Sequence, residues 1–262
     1  MDAELFFTLL IPATFFVMLA IESLFRTGRP WPDIPWWRMK GIAFFIVIGT
    51  LNAVLPLLIQ PLIGSHHLFD ASRLGLAGSV VLGYLVLSFV NATIHRAYHR
   101  YPLLWRSFHQ LHHAPQRLDI PGAVVFTPQE MIVGIVVSVV VLVFVLGLSG
   151  LAAAITGYIA VFYSLFQHFN VNTPRWLGWL IQRPESHGVH HRRGFHAYNY
   201  SDLPIWDMLW GTFRNPQRFM GDVGFEEAES RRFGAMLFTK DVNAATLGPG
   251  SRGRTDPATN PA

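Results

Sequence analysis

The sequence contains no cysteine. That absence excludes disulfides, iron–sulfur clusters, thiolate-ligated haem and cysteine-based zinc sites together, so any metal ion must be held by nitrogen and oxygen. Charge is scarce as well. Only 14% of the 262 residues are Asp, Glu, Lys or Arg, where a soluble domain carries about a quarter. Hydrophobic residues make up 51% and the mean hydropathy is +0.33, which reads as an integral membrane protein. The chain has no H-E-x-x-H signature of a zinc hydrolase. No cleavable signal peptide is expected, because the first apolar run follows acidic rather than basic residues and lacks a small-residue cleavage site. The pI near 9.7 suggests nucleic acid at first sight. The basic residues are spread over loops beside apolar runs, however, which fits membrane topology and no nucleic-acid partner.

Five apolar stretches approach the roughly 20 residues that span a bilayer, at about 5–25, 41–63, 74–94, 131–148 and 151–169. The expected fold is all-α: a polytopic membrane protein with four to five transmembrane helices and a cytoplasmic, histidine-rich helical cap. The eight tryptophans lie outside the five stretches, as in an interfacial aromatic belt. Arg26, Arg29, Arg38 and Lys40 follow the first stretch, and Arg96, Arg100, Arg106 and Arg117 follow the third. Arg73 stands alone on the opposite side. The excess of basic residues places the N-terminus outside and the C-terminus in the cytoplasm. Residues 1–243 read as one membrane domain and 244–262, rich in Gly, Pro, Ser, Thr and Asn, as a disordered tail. The short run 176–181, with Trp176 and Trp179, reads equally as an interfacial element or as a helix packed over the spans.

Histidine is what the chain has in quantity. There are twelve. His95 and His99 form H-x3-H; His109, His112 and His113 form H-x2-H-H; and His187, His190 and His191 repeat that spacing. On a helix, positions i, i+3 and i+4 share a face, so each block is expected to aim its imidazoles at one point. The topology brings these blocks, with His168 at the end of the fifth stretch, to one membrane side. His66 and His67 fall on the other and read as loop residues. A lone histidine on an apolar face is usually structural; nine at these spacings on one side are not. One tetrahedral zinc needs four ligands. Nine imidazoles, with His196 as a tenth candidate, suit two five- or six-coordinate ions, and non-haem iron is the metal that most rewards such a set. A non-catalytic membrane protein that keeps the histidines for zinc is the alternative.

These blocks occur in a specific order. His95-x3-His99 is followed by Leu104-Trp105-Arg106-Ser107-Phe108-His109-Gln110-Leu111-His112-His113, then Gln167-His168-Phe169-Asn170. Next come Pro184-Glu185-Ser186-His187-Gly188-Val189-His190-His191, Asn199-Tyr200, and Trp206-Asp207-Met208-Leu209-Trp210-Gly211-Thr212-Phe213. Over residues 91–215 the chain resembles the fatty acid hydroxylase and sterol desaturase superfamily of membrane di-iron oxygenases. The resemblance implies two histidine-bound iron ions that use O2 to hydroxylate or desaturate a lipid C–H site. It implies a lipid substrate drawn from the bilayer: a sterol, fatty acyl chain, ether lipid or carotenoid. It also implies a separate electron donor, a ferredoxin, cytochrome or reductase, in line with the absence of a flavin or nicotinamide fingerprint. The expected location is the inner membrane of a bacterium or the endoplasmic reticulum of a eukaryote, with the site on the cytoplasmic face. An all-imidazole set carries no negative charge, so Glu185 and Asp207, with Asn199, are candidates to orient imidazole N–H groups; a helix cap or an arginine partner explains the two acids equally well. Two departures stand out: Ser201 where the family often has glycine after Asn-Tyr, and Thr127 where many bacterial members have histidine before Pro128.

Overall fold

Hydropathy and helix length agree closely. The computed structural model describes residues 3–25, 28–195 and 197–243; Arg26, His196 and the 244–262 tail lie outside the described residues. Five helices are long and apolar enough to cross a membrane. They are α1 (Ala3–Phe25), α2 (Trp37–Ile63), α3 (Gly75–Arg100), α4 (Pro128–Val139, continued by a wide π turn over Val140–Val145) and α5 (Gly150–His168). The ends follow local chemistry. Pro128 opens α4, where a missing N–H costs nothing, and the Thr127 hydroxyl accepts the Glu130 N–H at 3.2 Å. Ser149 caps α5 through the Ala152 N–H at 3.3 Å. The protein is a multi-pass membrane protein.

One boundary differs from the sequence reading. The third stretch was expected to end at residue 94, where polar residues begin, but α3 runs unbroken to Arg100. Loss of hydrophobicity marks where lipid ends, not where the helix does. The extra turns carry His95 and His99 above the apolar part of the bundle. α1 and α3 both pack on α5, and α2 packs on α4. Gly83 permits the α3–α5 approach: a Cβ there would meet Leu148 Cδ1 at 2.8 Å and Thr156 Oγ1 at 3.2 Å. The outer faces stay apolar, with Leu57 68% and Leu62 86% exposed, as expected for surfaces solvated by lipid.

The rest forms the cap. A helical stretch follows α3 through Pro102–Leu104, a π turn at Trp105–His109 and a last α turn at Gln110–His113. Short helices follow α5, among them α6 (Pro184–His190) and α7 (Pro204–Trp210). Trp105, Leu111, Ala114, Val125, Phe225, Met236 and Val242 make its apolar core. Glu22, near the end of α1, accepts the backbone N–H groups of Ile120 (3.0 Å) and Asn170 (2.6 Å), tying α1 to the cap. The 176–181 run begins in a 3₁₀ turn, with Trp176 and Trp179 exposed rather than packed over the spans.

Candidate metal centre

Nine of the ten histidines singled out by sequence come together, in two groups. His95, His99, His109, His113 and His190 form one; His112, His168, His187 and His191 form the other, and within each group the ring nitrogens lie within 4.8 Å of one another. His196 is outside the described residues, and His66 and His67 are exposed in the loop after α2.

The expectation that each block converges on one point holds for His95 and His99, which share the first group, and is corrected for the two H-x2-H-H blocks. Successive helical residues turn by about 100°, so positions i and i+4 are about 40° apart while i+3 sits about 60° to the other side of i. His109 and His113 therefore face the first group and His112 the second. In α6 the assignment is crossed: His187 and His191 face the second group and His190 the first. Each H-x2-H-H block spans both groups and holds them side by side.

The nitrogens of the second group crowd one another. His168 Nε2 lies 3.2 Å from both His112 Nε2 and His187 Nε2, and His191 Nε2 is 3.0 Å from His187 Nε2. His168 Nδ1–H donates to the Ser164 carbonyl at 2.8 Å, which leaves Nε2 a bare lone pair aimed at its neighbours. In the first group, His95 Nδ1–H donates to the Tyr200 carbonyl at 2.7 Å, and its Nε2 is buried with no hydrogen-bond partner among the described residues. Ring nitrogens packed this closely in a dry site need either protons shared between them or a cation among them. Nitrogens about 2.1 Å from one ion stand about 3.0 Å apart at right angles, close to the spacing found. Burial, reinforced by neighbouring imidazoles, holds His109, His112, His113, His187 and His191 well below the usual histidine pKa, so they are neutral and available as ligands. The donor set fits two transition-metal ions.

The contacts behind the imidazoles were mostly not foreseen. His190 Nδ1–H donates to the Tyr198 carbonyl at 2.8 Å, the Gln182 amide lies 2.9 Å from His187 Nδ1, and Glu130 Oε1 is 2.5 Å from His109 Nδ1. The three residues proposed for this task from sequence do not touch an imidazole among the described contacts. Glu185 accepts from Thr173 N–H and hydroxyl, both at 2.7 Å, and pairs with the fully buried Arg183 at 3.0 Å, which is the arginine-partner reading. Asn199 joins Ser186 to Arg214. Asp207 accepts from the backbone of Tyr200 and Ser201 and from the hydroxyls of Ser201 and Thr212. Asn199 and Asp207 act indirectly: they hold the 198–201 loop whose carbonyls meet His95 and His190. In that loop the left-handed residues are Tyr198 (φ 62°) and Asn199 (φ 48°). Ser201 is not among them, so serine fits where glycine was expected. Thr127 likewise has a structural task, donating to the Phe108 carbonyl at 3.1 Å while capping α4.

A cavity of about 290 Å³ runs from this cluster into the bundle between α2, α3, α4 and α5. His95, His109, His112, His168 and His187 close one end; Ile48, Val133, Val137 and Val161 line its apolar part. A larger cavity of about 680 Å³ beside the 28–39 loop contains no histidine.

The family model for fatty acid hydroxylase matches residues 80–212, just over half of the chain. An ornithine lipid hydroxylase, OlsE, from Rhizobium tropici is 29% identical over 220 residues, covering 81% of this chain and 66% of its own length. A fatty acid hydroxylase, vlmA, from Lecanicillium sp is 30% identical over 145 residues, 49% of this chain and 40% of its own. The chain thus spans less than two thirds of either relative. No solved structure matches significantly. With the nine histidines lying inside or beside the matched segment and in the family's order, the chain belongs to the fatty acid hydroxylase family.

Proposed function

We propose that the protein is a membrane lipid hydroxylase that binds two iron ions through His95, His99, His109, His113 and His190 on one side and His112, His168, His187 and His191 on the other. The observation that supports this most directly is the pair of buried histidine groups at the end of an apolar cavity open to a helix bundle. Bound iron would supply O2 activation and hydrogen abstraction from an alkyl carbon. The protein's own groups do the rest. Val133, Val137 and Val161 exclude water and hold an alkyl segment end-on to the histidines. The carbonyls of Tyr200, Ser164 and Tyr198 fix His95, His168 and His190 with Nδ1 protonated, which makes Nε2 the donor atom. Thr127 and Glu130 set the angle of His109.

The basic loops favour a cytoplasmic cap within reach of a separate electron donor, with the substrate entering sideways from the bilayer. The names of the two relatives favour hydroxylation over desaturation and direct a first substrate screen to ornithine lipids and fatty acids. The test is metal content of the protein in mild detergent, with Mössbauer spectra of iron-57-enriched samples. About two coupled irons per chain and a product heavier by one oxygen atom support the reading. One zinc and no iron after anaerobic ferrous reconstitution overturns it in favour of a zinc-binding protein.

A further inference from the structure

The two histidine groups are not backed alike. Where the described residues show the partner of an imidazole Nδ1, it is a neutral carbonyl for His95, His168 and His190 and a neutral amide for His187. For His109 it is a carboxylate, Glu130, at 2.5 Å. The contact is built, not incidental. Thr127 anchors the first turn of α4 to the π turn carrying His109, by donating to the Phe108 carbonyl and accepting the Glu130 N–H. The other oxygen, Oε2, is buried with no hydrogen-bond partner among the described residues, so no other protein donor competes for the carboxylate. Among the described contacts, the second group reaches a carboxylate through a relay: the Gln182 amide beside His187 donates to Gln167 at 2.8 Å, and Gln167 donates to Asp202 at 3.3 Å.

We propose that Glu130 is a positioning residue that makes the two metal sites unequal, so that the five-histidine group binds its ion first and more tightly. With a cation on the imidazole favouring its ionised form, a carboxylate acceptor on Nδ1–H draws the proton toward itself and enriches Nε2 as a donor more than a neutral carbonyl does. The five-histidine group has this advantage in addition to one more ligand. The inference rests on the two-ion reading above.

The test is an anaerobic titration of the metal-stripped, full-length protein with iron-57(II), from zero to two equivalents, read by Mössbauer spectroscopy and by chelator competition. In the wild type, one equivalent fills one quadrupole doublet and the second equivalent fills another. Glu130→Gln keeps size and a neutral acceptor, and lowers affinity at the first site by about 10- to 100-fold. Both doublets then grow together while capacity stays at two. Glu130→Asp, too short to reach His109 in the same way, gives the same loss of order. Wild-type protein that fills both sites evenly overturns the inference without any variant, and so does stepwise filling unchanged in Glu130→Gln. Wild type that binds no iron removes the functional reading and this inference together; two irons bound without order removes this inference alone.

Discussion

In α2, a 27-residue helix, the one buried residue is Gly41, and Leu57, Leu58 and Leu62 face outward. In the cap, residues 109–114 are all buried, and three of the six are histidines. The difference follows from the solvent on each side. Lipid tails are as apolar as leucine, so burying leucine between spans gains little, and the spans are held by length, small residues and topology. The interior of the cap is excluded from both lipid and water. Its polar groups must satisfy one another, which makes it specific and sensitive to change.

Substitutions separate these regimes, beginning with the largest effect. His112→Ala or His190→Ala removes a ligand from one group or the other; hydroxylation should be abolished and bound iron reduced, as read by product mass and metal content. A fully metallated and fully active His112→Ala would falsify the ligand assignment. Leu111→Ala, in the cap core at 2% exposure, should cost about 2–5 kcal/mol in denaturation from mixed micelles. Acid should act on the same region. In metal-free protein the folded-state pKa values of His109, His112, His113, His187 and His191 lie below 6.5. The unfolded chain then binds more protons than the folded one below that pH. Stability is therefore greatest above pH about 6.5 and falls as the pH drops from there toward the folded-state values. A flat unfolding midpoint between pH 7 and 5 would contradict the buried, neutral cluster. Thr127→Ala removes the cap of α4 and its tie to the π turn, a loss of about 1 kcal/mol, visible as a lower melting temperature. Leu58→Ala, facing outward on α2, should change stability by no more than about 0.5 kcal/mol. A loss as large as that of Leu111→Ala would erase the contrast.

The sequence shows the spans and the histidines plainly, because both are short-range periodic signals. Five apolar stretches correspond to five helices, and i, i+3, i+4 spacing marks the three blocks. The sharing of the two H-x2-H-H blocks between the two groups was not visible. It depends on α6, about 75 residues downstream, lying against 105–113 so that His190 crosses to one side while His187 and His191 stay on the other. Glu130 was hidden for a different reason. Thr127-Pro128-Gln129-Glu130 is a sound helix-start signature in which the glutamate would bond back to the cap. Its side chain instead reaches His109, 21 residues upstream. Glu185 and Asp207 are acids beside histidine blocks in sequence, yet both are used by other partners. Adjacency along the chain was a poor guide because nearby groups in a helix or turn point in different directions.

The acceptors behind His95, His168 and His190 are main-chain oxygens. Every amino acid carries one, so no point substitution deletes them. Alanine at Ser164, Tyr198 or Tyr200 would leave each oxygen in place, so what such a variant loses is the side chain's own contacts, such as the Tyr200 ring against His95, His99 and His190, and not the acceptor. The changes that would reveal them alter the course of the backbone itself, such as a proline or a one-residue insertion in 198–201. In that loop the course of the backbone carries the acceptors, and the Asn199 side chain, bonded to Ser186 and Arg214, helps to hold it.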